Sequence, residues 1–233
     1  MDQLPIIFFP GINGDARIFA EQLNAFPTLK VAQWLPPTRS ESMAAYAKRM
    51  ARATDPGGPC LIGGTSFGGI IALEAAHHLQ AQACLLFASS RDAHGLPTSL
   101  RMARQLGKLI SADTIWKWTM RWQDASIASL PSARNKRQRL SLAQQHFRDW
   151  ALSALLDWKP APAACTIMQL HGSRDNVFAA RRSKANSIIA GAGHVMTRTH
   201  SEEVNQFIIK ALEHCHSSET GTTSIQQNSY RHE

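Results

Sequence analysis

Short apolar runs alternate with helical patterns along most of this chain, and this alternation restricts its possible folds more than any other feature. Runs at 5–9, 30–35, 60–63, 83–89, 165–170 and 187–190 have the length and composition of buried strands. Strands that alternate with helices form a parallel sheet with helices on both faces. The sequence therefore predicts an α/β fold with a mainly parallel sheet of about six strands.

One interval departs from the alternation and predicts an insertion. Residues 91–159 contain only helical stretches, whereas 1–90 and 160–215 carry the strands. We predict that the two outer segments form the main α/β domain. The insertion is then a helical cap over the C-terminal edge of the sheet, where ligands bind in open α/β folds. Residues 216–233 are rich in Ser, Thr, Gln and Asn, which predicts a disordered tail.

Bulk composition excludes several classes of protein. The 233 residues are 44% hydrophobic and 18% charged, as in an ordinary globular protein. No apolar run approaches the roughly 20 residues that span a bilayer, and the N-terminus lacks the basic region of a signal peptide. The four cysteines have no metal-ligand spacing. We therefore expect free thiols, a cytoplasmic location, no stable membrane insertion and no metal site.

The net charge of +8 is concentrated in the predicted cap. Residues 91–159 hold twelve lysines and arginines against five aspartates, and also five of the six tryptophans. Trp118 and Trp122 are one helical turn apart and are predicted to contact substrate. In one interpretation the aromatic face packs on the main domain and the basic face is solvated. In the other, the cap offers an apolar ceiling to an acyl chain and a basic rim to an anionic head group or an acidic carrier protein.

The sharpest motif is Gly64-Thr65-Ser66-Phe67-Gly68, which has the pattern G-x-S-x-G. It lies directly after a predicted strand and directly before a predicted helix, as a nucleophile elbow does. A serine on so tight a turn needs small neighbours, because larger side chains would collide there. Four glycines flank this serine: Gly63, Gly64, Gly68 and Gly69. The context favours a nucleophilic serine over an incidental glycine-rich turn.

A serine nucleophile needs a base, and the base needs a group that orients it. Asp175 follows the penultimate strand, in the segment 171–175 with the sequence His-Gly-Ser-Arg-Asp. His194 follows the last short strand, directly after Gly193. Parallel strands bring these ends to one edge of the sheet. Ser66, Asp175 and His194 are therefore predicted to meet there as nucleophile, acid and base.

The loop after the first strand, residues 10–14, is predicted to lie at the same edge. Backbone amides of Ile12 and Phe67 are candidates for an oxyanion hole, which stabilises negative charge developing on a carbonyl oxygen. Phe67 also begins a helix, whose positive end favours an anion. The competing interpretation of residues 11–14 is an ordinary turn between strand and helix.

These motifs, in this order and with a helical insert before the acid's strand, resemble the α/β-hydrolase superfamily. The resemblance extends from Leu4 to about His214 and is greatest to short capped carboxylesterases and thioesterases that lack the first two strands of the fold. It implies Ser66 as nucleophile, His194 as base and Asp175 as acid. It implies no cofactor.

The resemblance also implies oxyanion-hole amides at Ile12 and Phe67, with one departure. Many members have His-Gly after the first strand, where this chain has Pro10-Gly11. The second donor is therefore either Ile12 or Asn13. The related dehalogenases and epoxide hydrolases use an aspartate as nucleophile, so the serine at this elbow argues against those two classes.

The sequence thus predicts a serine hydrolase that cleaves a carboxylic ester or thioester through an acyl-enzyme. One alternative is an acyltransferase that uses the same triad and excludes water. Another is a ligand-binding protein on a hydrolase scaffold. Nucleic-acid binding is suggested only by the positive charge, and no recognised nucleic-acid motif accompanies it.

Overall fold

The structure, a computed structural model, describes residues 4–105, 114 and 141–228, with side chains described as far as residue 217. Six strands form one parallel sheet in the order β2-β1-β3-β4-β5-β6. Their bounds are β1 Ile6–Phe9, β2 Leu29–Val31, β3 Cys60–Thr65, β4 Ala81–Phe87, β5 Thr166–Gly172 and β6 Ser187–Ile189. The predicted α/β class and the strand number are confirmed.

Helices connect the strands and cover both faces of the sheet. Their bounds are α1 Ala20–Ala25, α2 Met43–Thr54, α3 Phe67–Ala75, α4 Thr98–Gln105, α5 Leu142–Asp157, α6 Met196–Thr199 and α7 Ser201–Asn228. Short 3₁₀ turns span Ala16–Phe19, Ala76–His78 and Ala180–Arg182. Ser42 caps α2 through a bond from the Ala45 amide, and Ser141 begins α5 with a capping box.

Alternating side chains divide the core into two clusters, one on each face of the sheet. Along β1, Ile7 and Phe9 belong to the cluster that contains α2, α3 and α5. Ile6 and Phe8 belong to the other cluster, which α7 covers. Every residue of β1 and β3 is buried. The central strands are therefore rigid supports for the loops that follow them.

Part of the predicted cap is described, namely α4 and α5. The two described tryptophans of this segment pack onto the main domain: Trp150 Nε1 donates to the Glu41 carbonyl at 2.8 Å, and Trp158 Nε1 donates to Glu74 Oε1 at 2.7 Å. Trp118 and Trp122 lie outside the described residues, so their predicted contact with substrate stays a prediction.

The last helix, α7, extends to Asn228, within the segment for which the sequence predicts a disordered tail from 216. Among its residues up to 217, Val204, Phe207, Ile208, Ala211 and Cys215 are buried in the core cluster on this face of the sheet. The composition of 216–228 indicates an absence of core contacts, and such a segment can still continue a helix that is already formed. None of the described helices has the combination of length and hydropathy that a bilayer-spanning segment requires.

Candidate active site

Ser66 lies on a sharp turn between β3 and α3, in a backbone conformation that few non-glycine residues adopt. Its φ is 56° and its ψ is −124°. The turn is held by neighbouring backbone groups: the Ser66 amide donates to the Phe87 carbonyl at 3.0 Å, and the Gly69 amide donates to the Ser66 carbonyl at 3.1 Å. A strained residue that its surroundings fix in this way is typical of a functional site.

Glycines next to Ser66 are required by close approaches of the backbone. A Cβ on Gly68 would lie 2.2 Å from the carbonyl oxygens of Phe9 and Pro10. A Cβ on Gly64 would lie 2.5 Å from backbone atoms of Gly68. These distances are far below van der Waals contact, so the predicted need for small neighbours has a direct steric cause in the structure.

The structure brings Ser66, His194 and Asp175 together, although 128 positions of sequence separate Ser66 from His194. His194 Nε2 lies 3.1 Å from Ser66 Oγ, and His194 Nδ1 lies 3.0 Å from Asp175 Oδ2. Asp175 follows β5 and His194 follows β6, as the sequence predicts. The arrangement therefore contains a hydroxyl, an imidazole within hydrogen-bond reach of it and a carboxylate at the other ring nitrogen.

Both carboxylate oxygens of Asp175 have partners. Oδ2 faces His194, while Oδ1 accepts from the amides of Val177 at 2.8 Å and Phe178 at 2.9 Å. Phe178 also stacks on the imidazole of His194, with ring centroids 5.8 Å apart and planes 8° apart. Asp175 and His194 are only 5% and 4% exposed. The loop after β5 thus fixes both the carboxylate and the imidazole ring.

A second group of polar side chains supports the elbow from behind, and the sequence analysis did not identify it. Ser89 Oγ donates to the Ser66 carbonyl at 2.6 Å. The Ser89 carbonyl accepts from Gln169 Nε2 at 3.1 Å and lies 2.9 Å from His171 Nε2. Arg91 Nε donates to Gln169 Oε1 at 2.7 Å. Two consecutive serines, one residue beyond the end of a buried strand, were the available sequence signal.

His171 is fully buried within this support. Burial lowers the pKa of its imidazole, an effect that the nearby Asp175 carboxylate opposes. A neutral His171 fits its role as a packed hydrogen-bonding group. The sequence prediction that His171 is structural therefore has a physical basis in its burial.

The two predicted oxyanion-hole residues lie at the same edge of the sheet as Ser66. Phe67 is the first residue of α3, and the first amides of a helix have no partner within it. Ile12 follows Gly11, where a Cβ would lie 4.0 Å from the Ser66 Cβ. Trp34 Nε1 donates to the Gly11 carbonyl at 3.0 Å and anchors this loop. The loop is thus fixed next to the serine.

The described side chains do not form a metal centre. Among the side chains of residues 4–105, 114 and 141–217, no group of three or more His, Cys, Asp or Glu is arranged to hold a metal ion. None of the four cysteines forms a disulfide. Burial raises the pKa of Cys60 and of Cys165 to about 11, so these thiols are protonated at neutral pH.

Comparison with known proteins gives the family. A family model described as "Alpha/beta hydrolase family" matches residues 8–207, which is most of the chain. The chain belongs to the alpha/beta hydrolase family. This α/β hydrolase shares its fold with many solved structures, whereas no curated protein sequence matches it significantly.

Three similar structures illustrate the shared fold. ClbQ from the colibactin NRPS/PKS pathway is 16% identical, with 91% of this chain and 99% of that chain covered and a TM-score of 0.65. A thermophilic esterase from Thermogutta terrifontis is 17% identical, with coverages of 91% and 90% and a TM-score of 0.65. The NocB thioesterase domain, in a covalent complex with a fluorophosphonate nocardicin G analog, is 19% identical, with coverages of 90% and 94% and a TM-score of 0.57. At these identities the similarity shows a shared fold.

Proposed function

We propose that this α/β hydrolase cleaves a carboxylic ester or a thioester through an acyl-enzyme formed on Ser66. The observation that carries the proposal is the continuous hydrogen-bonded series from Ser66 Oγ through His194 to Asp175, with distances of 3.1 and 3.0 Å. A serine hydroxyl is a weak nucleophile, and a base within hydrogen-bond reach is what activates it. The esterase and the thioesterase domain among the similar structures support the same reaction class.

In the first half of the reaction, Ser66 Oγ attacks the substrate carbonyl carbon while His194 Nε2 takes the hydroxyl proton. Asp175 holds the imidazole with Nδ1 protonated and stabilises the imidazolium that forms. Negative charge develops on the carbonyl oxygen, next to the amides of Phe67 and Ile12. His194 then gives its proton to the departing alcohol or thiol, and the acyl-enzyme remains.

In the second half, His194 takes a proton from a water molecule, and the resulting hydroxide attacks the acyl carbon. The tetrahedral species collapses, Ser66 Oγ leaves and regains a proton from His194, and the carboxylic acid is released. Over the cycle, His194 takes one proton from Ser66 and one from water, and gives one to the leaving group and one to Ser66. The enzyme therefore returns to its starting state.

Replacement of Ser66 tests this function. We expect Ser66→Ala to reduce kcat for a short p-nitrophenyl ester by roughly 10³-fold or more, because the nucleophile is removed while binding groups stay. Thr65→Ser keeps the elbow and its nucleophile and serves as the matched control. Equal rates for Ser66→Ala and the wild type would overturn the proposal.

Two further parts of the proposal concern a partner protein and the cellular location. We propose an acidic carrier protein as an additional partner, supported by the net charge of +7 within residues 91–159. We also propose a cytoplasmic location, supported by four cysteines that form no disulfide, since reducing compartments maintain thiols.

A further inference from the structure

The loop after β1, which carries the predicted oxyanion amide of Ile12, contains a hydrogen-bonded turn. The Gly14 amide donates to the Gly11 carbonyl at 2.9 Å and closes the turn. Gly14 has a φ of 71°, a conformation that glycine adopts readily. The turn lies close to the nucleophile, since a Cβ on Gly11 would lie 4.0 Å from the Ser66 Cβ. Its backbone therefore lies beside the position at which Ser66 would attack a carbonyl carbon.

The Gly11 carbonyl accepts a second hydrogen bond, which comes from outside the turn. Trp34 Nε1 donates to it at 3.0 Å. Trp34 follows β2, and β2 pairs with β1 in parallel. The ends of these neighbouring strands lie at the same edge of the sheet, which brings Trp34 to the loop after β1. The carbonyl oxygen thus has two donors, one for each of its lone pairs.

The two bonds to the Gly11 carbonyl also fix the amide of Ile12, because both groups belong to one peptide unit. In a planar trans peptide, the C=O and the N–H of the next residue point in opposite directions. The Ile12 amide is therefore directed away from the inside of the turn, and within residues 4–105 and 141–217 it donates to no protein acceptor. The Asn13 amide belongs to the next peptide unit, whose carbonyl accepts no hydrogen bond from those residues. Of the two candidates for the second oxyanion donor, Ile12 is the one whose direction is fixed.

The indole of Trp34 is itself held by aromatic rings from three elements. It stacks on Phe9 at the end of β1, with ring centroids 5.9 Å apart and planes 16° apart. It also stacks on Phe147 of α5, with values of 5.4 Å and 23°. Phe67, the residue after Ser66, meets it edge to face at 5.7 Å. A donor on a ring restrained in this way keeps one direction before substrate arrives.

We propose that Trp34 is a positioning residue for the reaction of Ser66, and that it directs the Ile12 amide at the developing oxyanion. Its part is indirect, because the indole acts through the Gly11–Ile12 peptide and not on the reacting atoms. Donors fixed in advance stabilise a transition state without reorientation during the reaction. The proposal rests on the proposed function, since the charge in question forms when Ser66 adds to a carbonyl. It assigns Ile12, and not Asn13, as the second donor.

A pair of tryptophan variants tests the hydrogen bond. Trp34→Phe removes the indole donor and keeps an aromatic ring. Trp150→Phe is the matched control, because Trp150 is also partly buried and its Nε1 donates to a backbone carbonyl, that of Glu41, at 2.8 Å. With a short p-nitrophenyl ester, we expect Trp34→Phe to lower kcat roughly tenfold, less than the roughly 10²- to 10³-fold that complete loss of an oxyanion donor costs. KM should change less than about twofold, and Trp150→Phe should keep kcat within about twofold of the wild type.

A transition-state analogue separates stabilisation of the oxyanion from a general loss of structure. Ser66 Oγ adds to the carbonyl carbon of hexyl trifluoromethyl ketone, the hydroxyl proton passes to His194, and the carbonyl oxygen becomes an oxyanion. We expect Trp34→Phe to raise the inhibition constant of this ketone by the factor by which it lowers kcat/KM. Trp150→Phe should leave the inhibition constant unchanged. A fall of kcat with an unchanged inhibition constant, or equal effects of the two variants, would overturn the proposal.

Gly14→Ala tests the same contact from the loop, and it replaces Trp34→Phe if that variant folds poorly. The added Cβ would lie 3.1 Å from Trp34 Cδ1, at a φ of 71° that strains an alanine. We expect the same fall of kcat together with the same rise of the inhibition constant. Wild-type values of both quantities would count against the proposal.

Hydrogen exchange measured by NMR shows whether Trp34 holds the turn. We expect exchange of the Gly14 amide to be roughly tenfold faster in Trp34→Phe and unchanged in Trp150→Phe. Exchange at the wild-type rate in Trp34→Phe overturns the proposal. Cleavage of esters without any specific effect of Trp34→Phe overturns this proposal alone, whereas a wild type that cleaves no ester overturns the proposed function and this proposal with it.

Discussion

Two groups of polar side chains contact Ser66, one at its hydroxyl and the other at its backbone carbonyl. Around His194, the imidazole bonds to Ser66 and Asp175, and Asp175 also accepts two backbone amides. In the support behind the elbow, Ser89 Oγ donates to the Ser66 carbonyl, and the Ser89 carbonyl accepts from Gln169 Nε2.

This difference separates proton transfer from support of the turn. A group that moves protons must be held in one orientation before substrate arrives, and complete hydrogen bonding achieves that. A group behind a strained turn acts by holding the backbone in place. The first group predicts large losses of kcat on substitution, whereas the second predicts smaller losses of kcat together with a loss of stability.

The largest expected effect comes from breaking the fully bonded group at its acid. We expect Asp175→Asn to lower kcat for a p-nitrophenyl ester by roughly 10³- to 10⁴-fold, because the amide cannot hold the imidazole in the required tautomer. The side-chain oxygen of the introduced amide still accepts from the backbone amides of Val177 and Phe178, so the melting temperature should change little.

A matched control for this variant is Asp149→Asn, which removes a carboxylate paired with Arg148 on α5. We expect it to keep the wild-type kcat. If Asp175→Asn also keeps wild-type activity, the carboxylate has no role in orienting His194, and the contrast between the two groups is lost.

A moderate effect is expected at the support behind the elbow. Ser89→Ala removes the bond from Ser89 Oγ to the Ser66 carbonyl. We expect the free energy of unfolding to fall by about 1–2 kcal/mol and kcat to fall by roughly tenfold, because the strained turn loses one of its restraints. KM should stay constant, since the substituted side chain lies behind the turn.

Ser90→Ala is the control for Ser89→Ala. The Ser90 hydroxyl is also buried and donates to a backbone carbonyl, that of Asp92, away from Ser66. We expect denaturant unfolding to show a similar loss of stability with kcat unchanged. Equal losses of kcat in the two variants would assign both residues a purely structural role.

The smallest effect concerns the pH dependence of stability at His171. Burial lowers the pKa of this imidazole in the folded state, so below about pH 6.5 the unfolded chain takes up a proton that the folded protein does not. Stability is therefore lost as the pH falls through about 6.5. When the pH falls from about 7.5 to about 5.5, the free energy of unfolding should decrease less in His171→Gln than in the wild type. The two decreases should differ by at most about 1.4 kcal/mol. Parallel denaturation curves at both pH values would contradict this interpretation.

The number of strands and the residues at their ends were predictable from sequence, because both depend on local patterns. Ser66, Asp175 and His194 each follow a short apolar run, and parallel strands bring such ends to one edge. The extent of the last helix was not predictable from its composition, since residues 216–228 lack the apolar periodicity that signals packing.

The features that could not be predicted from the sequence depend on contacts between segments that are distant along the chain. The sequence analysis assigned the charge of 91–159 to a cap surface, yet Arg91 bonds to Gln169 and Arg104 donates to the carbonyls of Leu155 and Trp158 at the end of α5. Only a folded chain shows which basic residues of this segment stabilise the fold.

The central claim is that Ser66 is the residue that becomes acylated, and covalent labelling tests it most directly. The full-length protein is treated with a fluorophosphonate probe, digested and analysed by mass spectrometry. The account predicts one phosphonyl group on the peptide that contains Ser66, lost in Ser66→Ala and strongly slowed in Asp175→Asn. Absence of labelling in the wild type, or a label that persists in Ser66→Ala, would contradict it.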